Sequence, residues 1–177
     1  TPSTAKEEYW LYGEINWYSP VDLTRADSMF MRTSKKKITQ LGLQKSSAKL
    51  FPAFSVMLSS RATIGEIAIN TTPACTNQGF ITCIPSEQVS MYQIYFWLEE
   101  MMPTIMNLAT GATFKEITKG NFRKLPIVFL PENINSQFIE IMRPIFEMIR
   151  ILEEKNDVLK TTRDLLLPKL ISGQLAV

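Results

Sequence analysis

The chain has 177 residues, 45% of them hydrophobic, with 19 Lys and Arg against 17 Asp and Glu and no histidine. This length predicts one globular domain plus an extension, and the near-neutral charge means that any binding of nucleic acid depends on local basic clusters. Without histidine, histidine-based acid–base or triad chemistry is excluded. Cys75 and Cys83 are too far apart for a CxxC pair, so we expect no metal site and two reduced core thiols in a cytoplasmic protein.

No apolar run approaches the roughly 18 residues of a membrane span, so we expect no membrane association. The seven glycines form neither a GxGxxG pattern nor a P-loop. We also find no motif typical of DNA methyltransferases or metal-dependent nucleases. We therefore predict that the chain has no catalytic residues. Because it begins with threonine, we expect it to be a piece of a longer protein.

The first elements are a strand and a short helical turn. Ile15 and Trp17 alternate as in a half-buried strand. Ser19-Pro20 indicates a turn, and Asp22 is predicted to cap a helical turn after it.

A basic region follows between residues 32 and 49. It is either a solvated loop or a face that contacts DNA phosphates, since lysines neutralise backbone charge and hydroxyl groups donate to phosphate oxygens. Under the second interpretation, the predicted DNA-binding residues here are Arg32, Lys35, Lys36, Lys37, Lys45 and Lys49.

Successive strands are predicted at residues 54–58, 65–69 and 81–84, with polar connections between them. In these connections Arg61 has the donors to contact a guanine edge, and Asn77 or Gln78 can pair with an adenine edge. The alternative is that these side chains satisfy the loop backbone. Thr63 belongs to the same predicted DNA-binding set.

Residues 88–110 have helical composition and are apolar on most faces, which predicts a helix largely buried against the strands, with Pro103 as a kink or a break. The next loop holds small residues that let another backbone approach closely. Residues 125–131 are predicted to form a short buried strand closed by proline. The candidate DNA contacts of this part are Thr110, Thr113, Lys115, Lys119 and Arg123.

The last forty or so residues carry an apolar residue at alternating steps of four and three, which is typical of a coiled-coil heptad. A helix of this length, about 60 Å at 1.5 Å per residue, is too long to be buried on a domain of the remaining residues, so we expect a partner. The alternative is an amphipathic helix lying on its own core. We call the following set the seam: Phe138, Ile141, Ile145, Met148, Leu152, Lys155, Leu159, Thr162 and Leu166.

Prolines and caps set the expected limits of this helix. Asn135 or Ser136 is the predicted cap. Pro144 indicates either a kink or the start of a new helix, and the unbroken apolar spacing favours a kink. Pro168 followed by Gly173 predicts the helix end. The predicted domains are therefore residues 1–131 and 132–177.

The order of short motifs along the chain resembles one half of the specificity subunit of type I restriction–modification enzymes. The resemblance covers essentially the whole chain, and its most specific part is the ending, 163–173. In this family, the corresponding half of the subunit normally begins some residues before Thr1, so a first strand is expected to be missing here. The motifs are Gly13-Glu14-Ile15-Asn16-Trp17, Pro20-Val21-Asp22-Leu23, Lys37-Ile38-Thr39, Arg61-Ala62-Thr63-Ile64-Gly65, Thr76-Asn77-Gln78-Gly79-Phe80, Gly111-Ala112-Thr113-Phe114-Lys115 and Arg163 to Gly173.

The resemblance implies an α+β fold in which a mixed, β-rich target recognition domain is followed by a long C-terminal α-helix that forms an antiparallel coiled coil. It implies that the chain reads one half of a bipartite target in double-stranded DNA. Its partners would be the modification subunits, through them the restriction subunits, and a second copy or the other half of the specificity subunit. No cofactor is expected in this chain, since S-adenosylmethionine, ATP and Mg are used by partner subunits.

Two other functions fit the residues less well. One is a non-enzymatic adaptor whose β-rich domain binds protein and whose coiled coil dimerises, which salt-dependent duplex binding would distinguish. The other, a stand-alone DNA methyltransferase, needs a cofactor pocket that the sequence does not supply. The target bases, and whether the chain is a half-subunit or an excised C-terminal half, are left open.

Overall fold

The computed structural model describes residues 1–26, 28–61, 63–111 and 115–174. The chain divides into two compact units, Thr1–Ile139 and Glu140–Val177. Two β-sheets and several helices form the first unit, and a long C-terminal helix continues through the second, which confirms the predicted mixed α+β class. The predicted domain boundary near Pro131 coincides with the start of that helix, whereas the compact units divide eight residues later.

The described residues form seven strands, and the strands predicted near residue 15 and at 54–58, 65–69 and 81–84 are confirmed to within two residues at their starts. The strand predicted at 54–58 begins at Val56 because Phe54 has a left-handed backbone, with φ of 62°. The strands are β1 (Ile15–Tyr18), β2 (Phe30–Met31), β3 (Lys36–Ile38), β4 (Val56–Ser59), β5 (Ile67–Asn70), β6 (Ala74–Thr76) and β7 (Phe80–Cys83).

The strands pair into a three-stranded sheet, in the order β3-β1-β6, and a four-stranded sheet, in the order β2-β5-β4-β7. In the first sheet, β1 runs antiparallel to β3 and parallel to β6, so Trp17 lies between Lys36 and Cys75. In the second sheet all four residues of β4 are buried between antiparallel neighbours. The core of the first unit is therefore sheet-based, and its strand ends carry the loops predicted to contact DNA.

In the part of the chain that the structure describes, six helical segments precede, connect or follow the strands. The first α-helix is closed by the Asp22 carboxylate, which accepts from the Ser19 N–H at 2.8 Å. Asp22 thus caps the helix as predicted, but from the third helical position, where its carboxylate bonds back to the residue before the helix. The segments are a 3₁₀ turn (Glu7–Tyr9), α1 (Pro20–Ala26), α2 (Gln40–Gln44), α3 (Met91–Leu108), α4 (Lys119–Phe122) and α5 (Glu132–Ile171).

Helix α3 packs only one side against β4, where Ile94, Leu98 and Ile105 are buried. The prediction that this helix is largely buried is wrong for its other sides, since Phe96 is 45% exposed. Pro103 lies inside the helix, so it does not break it.

The predicted buried strand at residues 125–131 is absent, because this segment bonds to helix α3 and not to a neighbouring strand. The Trp97 indole donates to the Pro126 carbonyl at 2.8 Å, and the Gln93 amide donates to the Val128 carbonyl. Proline removes N–H donors from a potential ladder, and Val128 and Phe129 are exposed. The apolar run is therefore an extended surface segment held by two side chains.

Helix α5 begins at Glu132, where the Asn135 N–H donates to the Pro131 carbonyl at 2.9 Å. The prediction that Asn135 or Ser136 caps the helix is therefore wrong, since both lie inside it. Helix α5 continues through Pro144, as does the apolar spacing of the sequence.

The C-terminal end of α5 is closed by a Schellman motif. The Gln174 N–H donates to the Lys169 carbonyl, the Gly173 N–H donates to the Leu170 carbonyl, and Gly173 has φ of 72°. Gly173 thus closes the helix as predicted, while Pro168 lies inside it. Leu175 lies outside the described residues.

Candidate nucleic-acid interface

The basic segment around β3 is held in place by a buried polar network. The Asn16 side chain accepts from the Ser34 N–H at 3.1 Å and donates to the Arg32 carbonyl at 3.1 Å, and the Ser34 hydroxyl accepts from the Trp17 N–H at 2.9 Å. Because these groups are buried, their hydrogen bonds strongly constrain the backbone that enters β3. The network thereby orders the backbone that leads through Lys35 into β3, where Lys36 and Lys37 lie.

Three consecutive lysines share one surface cavity with an aromatic ring. Lys35, Lys36 and Lys37 are exposed and line a cavity of about 410 Å³ together with Trp10. The Lys36 ammonium lies 5.6 Å from the Trp10 ring centroid, which is within range of a cation–π contact. Trp10 in turn meets Trp17 edge to face at 5.9 Å.

A second cavity of about 410 Å³, which we call the groove, brings together four predicted DNA-binding residues from three separate segments of the chain. Lys49 follows α2, Asn77 and Gln78 form the turn between β6 and β7, and Lys119 begins α4. The Thr118 hydroxyl caps α4 by accepting from the Asn121 N–H at 3.2 Å, which orders the first turn, where Lys119 lies. Two cations and two amide side chains thus converge on one concave surface.

The two amide side chains are partly engaged within the chain. The Asn77 Oδ1 accepts from the Gly79 N–H at 2.9 Å, which closes the turn, and the Gln78 Oε1 accepts from the Thr1 hydroxyl at 2.8 Å. Gly79 is needed here because a Cβ would lie 2.8 Å from the Pro20 Cγ. An amide oxygen has two lone pairs, so both interpretations of these side chains, loop support and contact with an adenine edge, are compatible with the structure.

Arg61 and the loop after α3 lie side by side. The Arg61 Nε is 2.8 Å from the Glu116 Oε1. This hydrogen bond raises the pKa of the guanidinium, and the charge of Glu116 adds to the effect. Thr110 and Glu116 exchange backbone hydrogen bonds of 3.0 and 2.8 Å, so the loop is closed at its base, and Lys115 is exposed beside it. Thr113 lies outside the described residues.

The other predicted contacts are dispersed. Lys45 and Arg123 are exposed at the ends of α2 and α4, Thr63 is exposed after Arg61, and Arg32 is half-buried. None of these four is among the described residues that line the groove.

Some groove residues escaped the sequence analysis. Ser47, Thr76 and Thr82 line the groove and carry hydroxyl groups able to donate to phosphate oxygens. Nothing in their local sequence distinguishes them, because their position in the groove depends on how distant strands and loops come together in the fold. Glu116 was missed for the same reason.

The described residues contain no group of three or more His, Cys, Asp or Glu side chains that could hold a metal ion. Cys75 and Cys83 are free thiols, and burial raises the pKa of each to about 11. Both side chains therefore stay protonated and neutral at pH 7.

The model of the type I restriction modification DNA specificity domain matches residues 1–161 of this sequence. The chain belongs to this family of DNA specificity domains. Among curated relatives it is 28% identical over 162 residues to the type I restriction enzyme MjaIX specificity subunit of Methanocaldococcus jannaschii, covering 90% of this chain and 37% of that protein. It is 33% identical over 152 residues to the EcoR124I/EcoR124II specificity subunit of Escherichia coli, covering 80% of this chain and 36% of the relative.

Solved structures show the same fold. The HsdS subunit of Thermoanaerobacter tengcongensis aligns with 99% of this chain and 41% of its own, with a TM-score of 0.60 and 16% identity. A chain from a structure of complex assembly in the type I restriction–modification system aligns with a TM-score of 0.60 and 16% identity. The domain thus spans well under half the length of these relatives.

In the part of the chain that the structure describes, no helix is long and apolar enough to cross a membrane.

Proposed function

We propose that this chain is a DNA recognition module of a type I restriction–modification complex and reads one half of a bipartite duplex target. The observation that carries the proposal is the groove, in which Lys49, Asn77, Gln78 and Lys119 converge from three segments in a member of this DNA specificity family. Lysines supply sequence-independent attraction to phosphates, whereas amide side chains supply hydrogen bonds to base edges. The groove contains both kinds of group.

Residues 35–37 extend the same function outside the groove. In our proposal these lysines contact the phosphate backbone, because they are exposed, line one cavity with Trp10 and lie in β3 or directly before it. Phosphate contacts set the register of a protein on the duplex and carry no sequence information. Base choice then falls to the groove and to the loops around Arg61.

Helix α5 has a separate role in the proposal. Its exposed seam pairs antiparallel with the equivalent helix of the other half of the subunit, or with a second copy, as a coiled coil. The pair holds two recognition domains apart and docks the modification subunits. Methyl transfer from S-adenosylmethionine and ATP- and Mg-dependent cleavage belong to partner subunits in the cytoplasm, and this chain is non-catalytic and binds no cofactor.

Duplex binding measured by fluorescence anisotropy at several salt concentrations tests the proposal. A plot of log K against log salt should slope by about −0.9 per phosphate contacted. Simultaneous replacement of Lys35, Lys36 and Lys37 by alanine should flatten the slope by up to about three such contacts. Lys49→Ala and Lys119→Ala should each flatten it by about one.

The matched control is Lys160→Ala on α5, which removes one exposed lysine outside the proposed interface and should leave the slope unchanged. If the wild-type chain shows no salt-dependent duplex binding, the DNA-binding function is wrong and the protein-binding adaptor becomes the better hypothesis. If binding occurs but no lysine variant alters the slope, the phosphate-contacting surface lies elsewhere.

A further inference from the structure

We propose, on the basis of the DNA-binding function above, that Arg61 contacts a guanine in the major groove and that Glu116 is the positioning residue that holds its guanidinium for that contact. The starting observation is the ion pair between the Arg61 Nε and the Glu116 Oε1 at 2.8 Å, in which the side chains remain 53% and 36% exposed.

The backbone around this pair is closed without help from the ion pair. Ser59 closes the turn before β5, since its hydroxyl accepts from the Glu66 N–H at 2.9 Å. Ile117, which is buried, donates its N–H to the Ser60 carbonyl at 3.2 Å. Since Thr110 and Glu116 also exchange two backbone hydrogen bonds, the loop does not need a salt bridge to stay shut. Exposed ion pairs contribute little to stability, so a role in orientation explains this one better.

The donor geometry of the pair fits a base contact. A guanidinium has five N–H donors in a fixed fork. The contact to Glu116 occupies the Nε side, and even a bidentate side-on contact would reach only the adjacent terminal nitrogen. The far edge of the fork therefore keeps two parallel N–H groups, which is what contact with guanine O6 and N7 requires.

The charge of the pair points to a base and not to a phosphate. Glu116 offsets the positive charge of Arg61 and would itself repel a nearby phosphate, so the pair adds little non-specific attraction. Its hydrogen-bond donors are unaffected by that cancellation. A guanidinium whose charge is offset but whose N–H donors are well oriented is suited to discriminate between bases. The lysines then supply the affinity for DNA.

The segment that carries Arg61 is also bonded to a turn that lines the groove. The Ser60 N–H donates to the Gly79 carbonyl at 2.7 Å, which joins the backbone before Arg61 to the Asn77–Gly79 turn. One backbone hydrogen bond therefore connects the segment of Arg61 to the turn that carries the two amide side chains.

Selection of bound sequences from a randomised duplex library, with the 177-residue chain, tests the inference. The wild-type chain should select a motif with guanine at one defined position. Arg61→Ala and Arg61→Lys should both reduce preference for that guanine by roughly tenfold or more, because a lysine has charge but no fork. The remaining positions of the motif should persist.

Glu116→Gln separates orientation from folding. It keeps the backbone hydrogen bonds of residue 116 but replaces the charge-assisted hydrogen bond to Arg61 by a weaker neutral one, so the guanidinium is held less firmly and guanine preference should fall. Because one negative charge is removed, binding to random duplex should stay equal or strengthen. A merely structural role would weaken both together. The control, Glu100→Gln, changes an exposed carboxylate on α3 and should alter neither.

Different results would contradict the proposed function and the assignment of Arg61 and Glu116. A wild-type chain that binds duplex but selects no motif contradicts the proposed sequence recognition and this inference with it. A wild-type motif whose guanine persists in Arg61→Lys and Arg61→Ala contradicts this inference alone. Loss of guanine preference in the Arg61 variants but not in Glu116→Gln would overturn the assignment of Glu116 as the positioning residue.

Discussion

Helices α3 and α5 carry the same kind of apolar periodicity but differ in what covers it. On α3, Leu98 and Ile105 are 0% exposed against the four-stranded sheet. On α5, the seam residues Ile141, Met148 and Leu159 are 59%, 63% and 65% exposed. A periodic apolar pattern therefore predicts a helix with an apolar side, but it does not tell which surface buries that side.

The two helices also differ in whether polar residues lie within the apolar side. The buried side of α3 contains no charged residue, whereas the seam of α5 includes Lys155 and Thr162. A polar residue at a seam position lowers the stability of a coiled coil and fixes its register and partner. An exposed stripe of this length is typical of an interaction surface, which is why we expect α5 to be covered by another helix.

The largest expected effect is a difference in stability between two variants, each with one leucine replaced by alanine, on α3 or on α5. Leu98→Ala should lower the free energy of unfolding by about 2–5 kcal/mol, since it removes buried methyl groups and leaves a cavity. Leu159→Ala, measured at a concentration where the chain is monomeric, should change it by less than about 0.5 kcal/mol. Urea denaturation of both variants checks the contrast, and similar losses would show that the α5 stripe is buried in solution.

An intermediate effect is expected on association. The exposed seam should pair two copies of the chain through a two-fold contact that uses identical surfaces. Leu152→Asp places a charge in the middle of the seam, where burial without a partner is costly. Sedimentation at micromolar concentration should show dimers for the wild-type chain and monomers for the variant, with unchanged circular dichroism.

The matched control for this experiment is Lys160→Asp, which introduces the same side chain outside the seam and should leave the dimer intact. A wild-type chain that sediments as a monomer would contradict the pairing of isolated chains through α5.

The elements that the sequence predicted well depend on local patterns. The strand around Ile15 and Trp17 and the glycine after the last helical turn depend on patterns of a few residues, and both were confirmed. The half-buried alternation predicted for that strand is wrong, because Asn16, Trp17 and Tyr18 are all buried. The failed strand at 125–131 shows the limit of such patterns, because its carbonyls are taken by Gln93 and Trp97 from a distant helix. Local sequence cannot report a side-chain donor that lies thirty residues away.

The candidate site shows the same limit. Residue types predicted which side chains suit DNA, but only the tertiary fold brings Lys49, Asn77 and Lys119 to one groove. Nothing in the sequence indicated that Arg61 pairs with Glu116. A single carboxylate in a loop is common, and its partner becomes visible only when the fold brings the two segments together. Their predicted roles in DNA contact stay predictions until binding is measured.

The smallest expected effect concerns the end of α5 and uses two glycines as a pair. Gly173 has φ of 72° with nothing within 4 Å of an added Cβ, so Gly173→Ala tests backbone strain alone. An L-residue in this region costs about 1–2 kcal/mol, and the Schellman hydrogen bonds of the last turn should weaken by that amount. Amide hydrogen exchange at Gln174 should accelerate roughly 5- to 30-fold.

Gly120→Ala is the matched control, because an added Cβ in helix α4 would meet only the Thr118 Oγ1, at 3.8 Å. With no positive φ to strain it, this change should be neutral or stabilising by up to about 1 kcal/mol. Although both variants add one methyl group, only Gly173→Ala should therefore be destabilising. Equal exchange rates at Gln174 in the wild-type chain and in Gly173→Ala would contradict this prediction. The last turn of α5 would then already be frayed in the wild-type chain, and the Schellman hydrogen bonds would not hold the helix end.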